Sequence, residues 1–122
     1  MEMSQVRLHV RSARQAAAAR RAVRRELIER GLDEPDIVNV ELVVSELLGA
    51  AHDADVRAPM LVTIDSFSRL HNIRLCGIPD IALDDAPFHL RERVLHALTL
   101  AFGQRRNADG TTDLWAEVPR SA

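Results

Sequence analysis

The chain has 122 residues, 47% apolar and 28% charged, which suits one domain with a single core and is too short for a second domain of ordinary size. No apolar run approaches the roughly 18 residues of a membrane span, and no charged segment followed by an apolar stretch marks a secretory signal, so a cytoplasmic protein without membrane contact is expected. The formal net charge of −2 hides an asymmetry: residues 1–30 hold eight Arg against three Glu, the remainder eight Arg against fifteen acids. A basic first segment suits an acidic partner. Direct nucleic-acid binding is not expected, because only 3% of residues are aromatic and no nucleic-acid motif is present.

In chain order, Val6, Leu8 and Val10 alternate with polar neighbours and predict a half-buried strand over Gln5 to Val10. Ser12 and Gln15 read as a capping box opening a long first helix. Its apolar stripe is Ala16, Ala19, Val23 and Leu27, and Gly31 is placed to end it in the left-handed conformation. Arg20, Arg21, Arg24 and Arg25 fall mainly outside the stripe, either as a solvated face or as a partner-binding surface. Asp33, Glu34, Pro35 and Asp36 mark a second helix start, with carboxylates near the positive end of the dipole.

The second helix is the clearest element. Ile37, Val40, Val44, Leu47 and Ala51 repeat at spacings of three and four and predict a face packed on a sheet. Val43, Glu46 and Ala50 form an adjoining arc, so Glu46 sits among apolar neighbours. A carboxylate there needs a partner; it reads equally as a structural glutamate with a backbone or arginine partner and as a site residue.

Met60 to Phe67 and Asn72 to Ile78 predict a hairpin joined around Ser68 to His71. Cys76, the lone cysteine, reads as a small core residue, and no CxxC or Cys/His cluster suits a structural zinc. Pro79 to Pro87, with two prolines and three aspartates, predicts a loop. Helical spacing over Phe88 to Ala101, with Gly103 beyond it, predicts a third helix. A short strand at Gln104 to Asn107, a turn at Ala108 to Gly110 and a strand through Leu114, Ala116 and Val118 close the chain. The order β, α, α, β, β, α, β, β predicts a two-layer α+β sandwich: a small, mostly antiparallel sheet with helices on one face.

Two stretches, Ala19 to Ala54 with Glu41 to Leu47 (ELVVSEL) at its heart, and Arg93 to Val118, resemble the small histidine-kinase-like ATPase domains of bacterial anti-sigma factors and related serine kinases. The resemblance implies a Bergerat-type fold over nearly the whole chain. In that family, a Glu followed four residues later by an Asn on the second helix helps hold the magnesium that bridges the nucleotide phosphates. Glu46 stands at the Glu position and Ala50 at the Asn position, and a methyl group cannot bind magnesium, which prefers oxygen ligands. Asp53 lies on roughly the same face as a substitute. The family's Asp-x-Gly-x-Gly motif falls on Gly77, Pro79 and Ile81, with Asp80 as a displaced relic. The glycine-rich phosphate-covering segment is replaced by Ala82 to Pro87, which has no glycine. Gly110 and Thr111 match the family's last hairpin.

The resemblance therefore implies a degenerate regulatory domain, with no metal and no cofactor, that acts by binding protein. The implied partners are a sigma factor or an anti-sigma-factor antagonist, and a second copy in a homodimer, with Arg20, Arg21, Arg24 and Arg25 as the contact surface. The alternative is an active ATP-dependent serine-protein kinase using ATP and magnesium. In it Glu46 is the general base, and Asp53 or Asp80 with Gly110 and Thr111 restores the nucleotide contacts. A third reading, metal chemistry at His52 and Asp53, lacks the further ligands it needs: His71, His89 and His96 form no set around it.

Overall fold

Period-two alternation carries the sheet. The structure is a computed structural model, and its described residues are 4–79, 88 and 91–121. Five strands, β1 (Ser4–Val10), β2 (Met60–Ser66), β3 (Leu70–Pro79), β4 (Ala101–Arg106) and β5 (Thr111–Pro119), form one sheet in the order β1-β2-β3-β5-β4. Every neighbouring pair is antiparallel, with Val6 opposite Ile64, Ile64 opposite Ile73 and Ile73 opposite Ala116. Alternate residues of these strands share one face, and Val6, Ile64, Ile73 and Ala116 are buried on it.

Three helices cover that face: α1 (Ala16–Glu29), α2 (Glu34–Asp53) and α3 (Glu92–Leu98). The α+β two-layer sandwich expected from the element order is what forms. α2 packs on β3 and β5 and against both other helices. Its buried side includes the predicted stripe of Ile37, Val40, Val44, Leu47 and Ala51, joined by Val43, Leu48 and Ala50. Below it Ile64, Ile73, Leu75 and Leu114 are buried to 1% exposure or less. Each such side chain contributes roughly 1.5–3 kcal/mol through burial, so this seam holds the two layers together.

The helix ends follow local rules. Gly31 takes φ +76°, and the Leu32 N–H donates to the Leu27 carbonyl at 3.1 Å, closing α1 as expected. Asp55, at φ 57°, plays the same part after α2, where the Val56 N–H donates to the Ala51 carbonyl at 3.0 Å. The start of α1 corrects one expectation. Ser12 Oγ accepts from the Arg14 N–H at 3.2 Å, but Gln15 makes no side-chain cap bond, and a 3-10 turn at Ala13–Gln15 intervenes.

A larger correction concerns the third helix. It was expected over Phe88 to Ala101, yet α3 spans seven residues and β4 begins at Ala101. Thr99 is already extended (φ −125°, ψ 155°), and the Leu100 N–H donates to the Glu117 carbonyl at 2.7 Å. Phe102 then lies opposite Ala116 and packs edge-on against the rings of Phe88 and His96, with centroids 5.3 and 5.0 Å away. Pairing with β5 satisfies this backbone and overrides the helical spacing of the apolar residues. No helix among the described residues is long and apolar enough to cross a membrane.

Candidate functional site

Glu46, Gly49 and Asp53 stand at i, i+3 and i+7 on α2, so one face of the helix carries all three. Arg91, which precedes α3, lies across this face. Its guanidinium meets Asp53 in a forked contact, Nε to Oδ2 at 3.2 Å and Nη2 to Oδ1 and Oδ2 at 3.3 and 3.1 Å. Nη1 is 3.5 Å from Glu46 Oε2. Gly49 makes the approach possible: a Cβ there would come within 2.7 Å of the guanidinium carbon. Glu46 thus has the arginine partner that its apolar surroundings call for. Ala50, one residue on, points into the core at 1% exposure.

The other predicted positions scatter. Gly77 sits in a β-bulge where the β3–β5 register shifts between Leu75 and Ile78, and its φ of +85° is a conformation that side chains strain to adopt. The glycine serves the backbone here, and an aspartate would be strained at this point. Pro79 belongs to β3, opposite Thr111, where a loop was expected. Asp80, Ile81, the stretch Ala82 to Pro87, and His89 lie outside the described residues. Gly110, at φ +86°, turns the β4–β5 hairpin. Thr111 is held within that turn: its N–H and hydroxyl donate to Asp109 Oδ1 at 2.9 and 2.6 Å, and Asn107 Nδ2 donates to its Oγ1 at 3.1 Å. The two bonds from Thr111, hydroxyl first and then backbone N–H, lower the pKa of the Asp109 carboxyl.

The arginines of α1 divide by role. Arg24 is committed internally, donating to Glu34 and Glu41 and tying α1 to α2. Arg21 and Arg25 are exposed, and Arg20 is half-buried with an Nε that has no hydrogen-bond partner among the described residues.

Sequence reasoning missed a buried polar chain. Ser66 Oγ lies 2.8 Å from His71 Nδ1, and His71 Nε2 lies 3.4 Å from Asp36 Oδ2. Asp36 Oδ1 accepts from the Ser121 N–H and hydroxyl at 2.9 and 2.6 Å. A neutral imidazole with its proton on Nε2 satisfies the chain: Ser66 donates to Nδ1, and Nε2 donates to the carboxylate. Burial pushes the His71 pKa down, which Asp36 only partly opposes. Burial also acts to raise the Asp36 pKa, but the bonds from Ser121 and His71 outweigh it and the net shift is downward. Ser66, His71 and Asp36 are each at most 3% exposed, so no substrate reaches the serine. The chain is a clamp that joins the β2–β3 hairpin, the first turn of α2 and the segment after β5. Asp36 was legible only as a helix-start carboxylate, because its partners lie 35 and 85 residues away.

Cys76 is half-buried in β3, and burial pushes its thiol pKa up. Such a thiol is a poor nucleophile.

No protein-family model matches the chain, and no curated protein matches it. Glu46 and Asp53 already share a guanidinium, the position between them is a buried methyl group, and no three His, Cys, Asp or Glu side chains among the described residues form a metal set.

Proposed function

We propose that the chain is a degenerate anti-sigma-factor-like regulatory domain that acts by protein–protein binding in sigma-factor or partner-switching control, with ATP binding lost. The observation that carries this reading is Arg91 lying across Glu46, Gly49 and Asp53. In the domains that the sequence resembles, this region of the second helix faces the magnesium and the phosphates. Here a cation from the chain itself neutralises the carboxylates and takes the space above Gly49. Glu46 is then a paired structural carboxylate rather than a free base.

The two-layer architecture, with helices on one face of an antiparallel sheet, supports the same reading. The partner in this scheme is a sigma factor or an anti-sigma-factor antagonist, with a second copy of the chain as a further partner. Exposed Arg21 and Arg25 are the contact residues of α1. Arg24 contributes by bracing the helix pair.

Calorimetric titration with magnesium and ATP tests the loss of nucleotide binding, and no saturable heat is expected at millimolar ATP. Saturable binding that disappears in Glu46→Ala would replace this reading with that of an active serine-protein kinase. A pull-down from the source organism tests the partner class. Recovery of metabolic enzymes alone, without sigma factors or their regulators, would count against it.

A further inference from the structure

The helix-free face of the sheet carries a shallow depression of about 370 Å³, lined by Asn72, Arg74, Arg105, Asp113, Trp115 and Glu117. Register builds it. Trp115 stands opposite Arg74 on β3 and Gly103 on β4, Glu117 stands opposite Asn72, and Asp113 opposite Arg105. Gly103 sets the position of the indole, since a Cβ on it would come within 3.0 Å of Trp115 Cζ2.

The polar groups of the depression are unequally satisfied. Asp113 accepts from Asn107 Nδ2 at 2.9 Å. Arg74 gives one Nη2 contact to Asp65 at 3.4 Å, while its buried Nε has no hydrogen-bond partner among the described residues. The side chains of Arg105 and Glu117 have none among the described residues. What is left over is therefore a pair of guanidinium donors, one free carboxylate and an aromatic ring within one small concavity. A simple anion would gain the arginines but face Glu117 and Asp113. A simple cation would gain Glu117 but face Arg74 and Arg105. Only a ligand carrying both charges matches the set, and the volume lies at the lower end of the roughly 300–1,000 Å³ of small-molecule sites.

We propose that this depression binds a small aromatic zwitterion of the amino-acid type, with its carboxylate on Arg74 and Arg105, its ammonium on Glu117 and its ring on the Trp115 indole. The arginine contacts are charge-assisted hydrogen bonds, and the ring contact adds the geometry of an offset aromatic pair. The site lies on the face of the sheet away from α2 and does not depend on the regulatory reading above.

Trp115 is the chain's one tryptophan, so its fluorescence reports on the site directly. The full chain is titrated with phenylalanine, and with phenylacetate and 2-phenylethylamine, which each lack one of the two charges. Fluorescence and calorimetry are read in parallel. Phenylalanine is expected to bind saturably, and each single-charge compound about tenfold more weakly or worse. Glu117→Gln and Arg105→Gln each weaken phenylalanine binding by about tenfold while leaving the urea midpoint near that of the parent, because neither side chain has a hydrogen-bond partner among the described residues to lose. The proposal fails if neither readout saturates, if phenylacetate or 2-phenylethylamine binds as well as phenylalanine, or if Glu117→Gln binds unchanged. A Trp115 emission that shifts with protein concentration in the absence of ligand would also overturn it, by showing that a second copy covers this face. Should a Gln variant not fold, the comparison of the three compounds on the parent chain decides alone.

Discussion

Arg91 rests on Gly49 so closely that its guanidinium carbon would stand 2.7 Å from a Cβ at that position. Gly49 costs α2 about 1 kcal/mol relative to alanine in helix propensity, so the close approach is made at the helix's expense. Gly49→Ala is expected to displace the flexible end of Arg91 while leaving the fold intact. A double-mutant cycle checks this. Arg91→Ala should lower stability by about 0.5–1 kcal/mol in the parent, where the pair is partly exposed, and by close to nothing in the Gly49→Ala background. Equal losses in both backgrounds would mean that Gly49 does not seat the arginine.

The clamp of His71 and Asp36 makes stability depend on pH with a definite sign. The His71 pKa is lowered in the folded chain, mainly by burial. Between that lowered value and the ordinary value near 6.5, the unfolded chain binds the proton more readily, so stability is lost as pH falls through this window. The slope is at most about 1.4 kcal/mol per pH unit for one proton. The Asp36 pKa is also lowered. Its contribution is present above the unfolded value near 3.9 and is lost as pH falls below it toward the folded value. Urea midpoints measured from pH 8 to pH 4 should decline below about pH 6.5, and His71→Asn should flatten that part of the profile.

Gly77 is required for its backbone alone. At φ +85° in the bulge of β3, alanine would meet no neighbour within 4 Å, yet it would adopt a strained conformation. Gly77→Ala is expected to lower stability by about 1–2 kcal/mol, read as a drop in the thermal midpoint. No change would show that the bulge relaxes when the side chain is added.

Two leucines of α2 distinguish its buried face from its exposed one. Leu48 is 0% exposed and Leu42 is 38% exposed. Leu48→Ala should cost about 2–5 kcal/mol and Leu42→Ala less than about 0.5 kcal/mol. Similar losses for the two would contradict the orientation of the helix.

The amino-acid sequence by itself determined the order of elements, the sandwich class and the buried face of α2. Those follow from periodicity and end signals, which act over a few residues: the repeat from Ile37 to Ala51, the alternation of Val6, Leu8 and Val10, and Gly31 closing α1. It also marked Glu46 as a carboxylate needing a partner, without naming that partner. Tertiary structure decided the rest, because the deciding contacts join residues far apart in the chain. Arg91 reaches Asp53 across 38 positions, and Ser121 reaches Asp36 across 85. Pairing with β5 took Leu100 and Ala101 out of the helix that local spacing favoured. The depression around Trp115 exists only because register sets Arg74, Trp115 and Gly103 in one row across three strands. No local pattern encodes such a row, since strand pairing is chosen by burial of the opposite face.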